Sequence, residues 1–206
     1  MTTIAEPGAA MRSSTGFATA RKAMIDSQLR VSGVNEAFVL AAFAGVARED
    51  FVPENARDVA YTDRAVPLGN GQFLASPLVH GRMLGEASPT ARDKVLLVDG
   101  GSGYLGALVR GLVGSVEVMD PQTAVAKSRK QSDFTLLMID GAIEQLPDSL
   151  AGRLAEGARV VTGLVRRGVT RLATGRKLGG EVTLLELTEI GIPVLPDFAA
   201  PKSWSF

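Results

Sequence analysis

Apolar residues recur along this chain in two rhythms, and the change from one to the other divides it near Pro89. In the first part, Ala20/Met24 and Ile25/Leu29 stand four residues apart, which predicts a helix over 18–31, and Gly33 follows as a stop suited to a left-handed cap. Asn35 is placed to cap a second helix over 36–46, with Val39, Ala42, Phe43 and Val46 on one face. A short helix is predicted over 54–61, behind Pro53. The stretch TDRAVPLGNGQFLA (62–75) has strand and turn residues but no helical period. Ser76 and Pro77 then read as the N-cap and first residue of a third helix, whose buried face carries Val79, Met83 and Leu84 up to Glu86.

Beyond Pro89 the runs shorten and alternate. VLLVD (95–99) is nearly continuous in apolar residues, the pattern of a strand buried on both faces, and it empties into GGSG. YLGALVRGL (104–112) reads as helix, and SVEVMD (115–120) and FTLLMID (134–140) as further strands. The alternation predicts an α/β fold, a Rossmann-like parallel sheet with right-handed crossovers. ARVVTGLV, VTRLATGR and EVTLLEL (158–165, 169–176 and 181–187) are separated by RRG and KLGG, which predicts hairpins or an antiparallel meander closing that sheet. The expected organisation is a flexible tail over 1–15 and a single domain over 16–206. Within it, 16–88 form a helical front and loop, 89–165 the core, and 166–206 the hairpins and C-terminal tail.

Composition removes whole classes of function. The 22 basic residues equal the 22 acidic ones, so no global field draws the protein to nucleic acid or an anionic membrane, and neither is an expected partner. With no cysteine there are no disulfides, thiolate nucleophiles or cysteine metal sites, which suits a reducing cytoplasm, the expected location. His80 is the only histidine, which argues against a histidine-rich metal centre and a serine–histidine triad. No metal is expected, and the chemistry must need little acid or base.

VLLVDGGSGYLGA (95–107) is the most informative stretch. A strand delivers glycines that let a ligand approach the backbone, and the next helix presents free N–H groups, a place for a carboxylate or phosphate. Asp120, at the end of the next strand, is where an acid accepts hydrogen bonds from ribose hydroxyls. An adenosine-bearing cofactor follows. Gly101, Gly103 and Gly106 also satisfy G-x-G-x-x-G, so NAD stays open beside other adenosine cofactors.

MIDSQLRVSGV, VAREDFVPENARDVAYTDRAVPLGNGQ, KVLLVDGGSGYLGA and IDGAIEQLPDSLAGRLAEGARVVTG, covering roughly residues 20–165, follow one another in order. Together they resemble the protein-L-isoaspartate O-methyltransferase family of class I S-adenosylmethionine enzymes. The resemblance implies a class I methyltransferase sheet, S-adenosylmethionine as cofactor, and isoaspartyl-containing proteins or peptides as substrates. It implies that Gly101, Ser102, Gly103 and Tyr104 border the cofactor's methionine part and that Asp120 holds its ribose. Gln72, Asp99 and Asp140 join them as cofactor-binding candidates. An isoaspartyl carboxylate is already ionised at neutral pH, given a reference pKa of about 4, so no strong base is required.

Three departures stand out. The family's loop reads G-Q-T-I-S-x-P, so its serine falls on Ala75 and its threonine on Phe73; Ser76 is the nearest substitute hydroxyl. The acid usual in the first strand falls on Leu97, and a usual glycine is Asp99, which either replaces that acid near the cofactor's amino group or caps the glycine turn. Only thirteen residues, 121–133, lie between Asp120 and the next strand, where the family has another strand and helix. A methyltransferase with altered loop, a non-catalytic relative that binds a ligand or protein partner, and an NAD enzyme are the three readings carried forward. Of the remaining candidates, His80 is expected in core or surface rather than in catalysis, and Asp140-Gly141 at a ligand edge or in a tight turn. Arg166, Arg167, Arg171, Arg176 and Lys177 are expected to guard edge strands. Trp204 is expected to dock on the body or on another subunit.

Overall fold

A computed structural model describes residues 7–127 and 131–200. Helix α1 (Pro7–Met24) runs into a π-helical turn over Ile25–Leu29, and α2 spans Ala37–Gly45. Two 3-10 turns (Arg48–Phe51 and Glu54–Val59) lead to a hairpin of β1 (Val66–Gly69) and β2 (Gln72–Leu74), followed by α3 (Pro77–Ala87). The second part runs β3 (Lys94–Val98), α4 (Tyr104–Arg110), β4 (Ser115–Met119), α5 (Pro121–Val125), β5 (Phe134–Ile143), α6 (Asp148–Ala151), β6 (Leu154–Arg166), β7 (Val169–Leu178) and β8 (Glu181–Glu189).

Six strands form one sheet in the order β4-β3-β5-β6-β7-β8, parallel from β4 to β6 and antiparallel from β6 to β8. The expected α/β fold and its closing meander are both present. Because strand side chains alternate, Val95, Leu97, Leu136 and Met138 join one core with α2, α3 and α4, whereas Leu96, Val98, Leu137 and Ile139 join another under α5, α6 and Phe198. The near-continuous apolar runs are thus read correctly as strands covered on both faces. The chain leaves β3 toward β4 and returns on the other side to β5, so the carboxyl end of β3 is a topological switch point, where a crevice for ligands opens.

The front helices are tied to the loops by a polar cluster. Arg21 donates to Tyr61 Oη (2.9 Å) and Glu49 (3.2 Å), and the Tyr61 hydroxyl donates to Glu49. Among the described residues no helix is long and apolar enough to cross a membrane.

Several local expectations change. The second helix starts at Ala37, and Asn35 is no cap; its own N–H is taken by Glu36 Oε2 (3.1 Å). The segment after Pro53 winds as 3-10 rather than α. Asp120 lies past its strand and caps α5. Residues 1–6 of the expected tail lie outside the described residues, while 7–15 open α1. Most of the cationic run sits on interior strands β6 and β7, not on an edge. Arg166 and Arg171 instead pair with Glu186 of the edge strand β8 at 3.4 Å, and Lys177 donates to the carbonyls of Ala151 and Leu154. Trp204 lies outside the described residues.

Candidate active site

The glycine turn after β3 is shaped by its own aspartate. Asp99 Oδ1 accepts from the Gly103 N–H (2.8 Å) and Oδ2 from the Gly101 N–H (3.2 Å), so the acid caps the turn, one of the two roles open to it in the sequence. Gly101 (φ 110°) and Gly103 (φ 71°) both need the left-handed freedom of glycine. Burial pushes the Asp99 carboxyl above its ordinary pKa, and the charge of Asp140 adds to the shift. Ser102 Oγ accepts from the Tyr104 N–H (3.1 Å) at the start of α4.

Against this turn lies the β1–β2 hairpin. Asn70 and Gly71, both at positive φ, make its tip, and the Gln72 side chain rests on Gly101, where an added Cβ would come within 2.5 Å of Gln72 Cδ. Two distant stretches of sequence, GNGQ and GGSG, therefore meet at one surface. Phe73 is partly exposed, Ala75 is buried, and the Ala75 carbonyl accepts from Arg48 Nη2. Ser76 caps α3, receiving the Val79 N–H at 3.5 Å, so its hydroxyl is turned into its own helix.

Beneath the loop is a buried polar group whose pairings the sequence does not disclose. His80, fully buried on α3, has Nε2 2.8 Å from Oδ1 of Asp140 within β5, and the other Asp140 oxygen receives Ser102 Oγ at 3.4 Å. The aspartate stands between serine and histidine, so this is not the wiring of a serine nucleophile activated by histidine. Arg48, also fully buried, donates Nε to the Ala60 carbonyl (2.6 Å) and lies 5.0 Å from the centre of the Tyr104 ring. Burial pushes its pKa down to about 10. The Tyr104 ring touches Phe43, Phe51 and His80, with centroids 5.2–6.0 Å apart. Arg48 Nη1 and His80 Nδ1 have no hydrogen-bond partner among the described residues.

Asp140 follows the Ile139–Val98 pair, level with the end of β3, but β5 runs on to Ile143, so it is neither at its strand's end nor in a tight turn; it is buried and engaged. His80 is in the core, as expected, but paired. One signal for it is available in the sequence: His80 precedes Met83 by three residues and Leu84 by four, so it shares their buried face. Arg48 has no such signal, since burial of an arginine depends on carbonyls delivered from residues 60 and 75.

Asp120 lies on the other flank, exposed. Its oxygens accept from the Thr123 N–H (2.7 Å) and hydroxyl (2.9 Å), and the amide bond leads the causes that lower its pKa. Beside it a cleft of about 370 Å³ is lined by β4 (Glu117, Met119), α5 (Thr123, Ala124), Leu150 and Arg153. Arg153 meets Glu117 at 2.5 Å. This cleft lies along the strand that forms the margin of the sheet, where α5 is the one helix among the described residues of 121–133.

Residues 19–131 match the family model described as Protein-L-isoaspartate(D-aspartate) O-methyltransferase (PCMT). A protein-L-isoaspartate O-methyltransferase of Koribacter versatilis is 30% identical over 199 residues, 85% of this chain and 90% of that one. A protein-L-isoaspartate O-methyltransferase 1 of Rhodopseudomonas palustris is 30% identical over 171 residues, 71% of this chain and 70% of that one. In fold, the chain is similar to a putative protein-L-isoaspartate O-methyltransferase of Plasmodium falciparum solved with S-adenosyl-L-homocysteine. That likeness has a TM-score of 0.68 at 16% identity, over 88% of this chain and 98% of that one.

Proposed function

The chain belongs to the protein-L-isoaspartate O-methyltransferase family, and from that premise we propose that it binds S-adenosylmethionine at the glycine turn and methylates isoaspartyl carboxylates of damaged proteins in the cytoplasm. The observation that carries this reading is the contact of Gln72 with Gly101, which brings the substrate-loop motif onto the cofactor-turn motif.

The residues present suit the cofactor. Each Asp120 oxygen accepts one hydrogen bond from Thr123, and a carboxylate has about four acceptor positions, so capacity for two ribose hydroxyls remains. The flank of Gly103 is open: an added Cβ would meet nothing closer than Phe51 at 3.9 Å. Gly101, Ser102, Gly103 and Tyr104 are the candidates for the methionine part, with Asp99 holding the turn in shape. When bound, S-adenosylmethionine supplies an electrophilic methyl group.

The protein's own contribution is orientation rather than acid–base chemistry, because the acceptor carboxylate is already anionic. Gln72 and the hairpin tip bound the acceptor's approach from one side. At Ala75 no side-chain hydroxyl is available, and Ser76 is committed to its cap, so backbone groups of the loop must do the orienting.

Calorimetric titration with S-adenosylhomocysteine and, separately, NAD tests the cofactor. Saturable binding of the first alone is expected, and binding of NAD alone would overturn the reading. Labelled methyl transfer to an isoaspartyl peptide tests the reaction. Ala75→Ser is expected to raise turnover, showing that the missing hydroxyl limits the rate.

A further inference from the structure

The residues around Ala75 form a closed circuit. His80 on α3 contacts Asp140 on β5 (2.8 Å); Asp140 receives Ser102 of the glycine turn (3.4 Å); Ser102 takes the Tyr104 N–H (3.1 Å). The Tyr104 ring lies under Arg48 (5.0 Å), Arg48 holds the Ala75 carbonyl, and Ala75 leads through the Ser76 cap back into the helix of His80. Asp140 is the member whose side chain hydrogen-bonds both to the helix that carries the loop and to the turn that faces the cofactor. Its exposure is 5%, and that of His80 is 0%. A buried carboxylate persists only where partners compensate its lost hydration, so its two attachments are mutually dependent.

We propose that Asp140 is a positioning residue, not a cofactor ligand. Through His80 it fixes the loop of residues 70–75, through Ser102 it fixes the glycine turn, and it thereby sets the distance between the two. This rests on the function proposed above, which makes the loop the acceptor side and the turn the cofactor side. The arrangement also accounts for the loop's lack of a hydroxyl being tolerated. A backbone that must orient the acceptor by itself has to be held rigidly, and the circuit holds it from α3, β5 and the Arg48 turn together.

The test is amide hydrogen exchange in the ligand-free protein, with steady-state kinetics beside it. Asp140→Asn keeps the shape and removes the charge. Exchange is expected to quicken about tenfold both at 70–75 and at 101–104, with β7 unchanged, a coupling of ordinary size between two sites. His80→Gln, which leaves the carboxylate in contact with Ser102, is expected to quicken 70–75 and leave 101–103 unchanged. In turnover, Asp140→Asn should lower kcat about tenfold while KM for S-adenosylmethionine stays within about twofold, since a misplaced loop affects the transition state more than cofactor binding.

Quickening confined to 101–104, or a loss wholly in KM for S-adenosylmethionine, would make Asp140 a cofactor ligand and overturn the proposal. Equal quickening of β7 in both variants would reduce the pair to a stabilising contact and overturn it as well. Absence of methyl transfer by the unmodified protein would count against the function proposed above, while the exchange result would still decide the role of Asp140.

Discussion

The two flanks of the glycine turn are built to different standards. On the loop flank, Arg48, Tyr104, His80 and Asp140 form a buried chain of contacts, and Gln72 rests on Gly101. On the other flank, Asp120 is exposed just past the marginal strand β4, beside an open cleft and the short helix α5. The first flank depends on long-range packing that any substitution disturbs. The second depends on a local cap settled within three residues, so its residues should matter less to stability.

Four substitutions probe this contrast, from the largest expected effect to the smallest. Gly100→Ala would put a Cβ 2.2 Å from the Asp140 carbonyl oxygen, a clash with backbone that no rotamer relieves. A loss of about 4 kcal/mol is expected, read as a lowered urea midpoint. Arg48→Met leaves the carbonyls of Ala60 and Ala75 without their buried donor. It should cost about 3 kcal/mol in the same measurement and loosen the loop. If it proved neutral, the loop flank would not be held as described.

Asp120→Ala removes an exposed cap. Thermal melting should hardly move, whereas affinity for S-adenosylhomocysteine should fall about tenfold, the loss of one to two charge-assisted hydrogen bonds. A large stability loss with unchanged affinity would reverse the assignment of the two flanks.

The smallest effect concerns Asp99, whose folded pKa is raised by burial and by Asp140 above an unfolded value of about 4. The folded state therefore holds this proton more tightly. The resulting stability is complete below pH about 4 and is lost as pH rises through the raised folded value. Asp99→Asn should flatten the stability–pH curve in that window, seen by denaturation at a series of pH values.

The same contrast explains what could be read from the chain. Strand runs such as VLLV and FTLLMI announce themselves because both faces of β3 and β5 are covered, and the GGSG turn follows from its glycines. Ser76 as a cap is legible because capping is settled within three residues. The burial of Arg48 against Ala60 and the pairing of His80 with Asp140 are not, since they join positions 12 and 60 residues apart. The sequence places Asp120 at its strand's end, whereas β4 stops at Met119 and Asp120 caps α5, because a strand's end and the next helix's cap are adjacent positions here.

Both tyrosines of the chain belong to this architecture: Tyr104 forms the floor of the loop flank, and Tyr61 sits in the cluster with Arg21 and Glu49. Their optical signals therefore report on the candidate site and on its support, with the lone tryptophan far along the chain at position 204. Burial holds both phenols above their ordinary pKa. In an alkaline titration, phenolate absorbance should thus lag behind that of free tyrosine, making the site its own spectroscopic gauge of intactness.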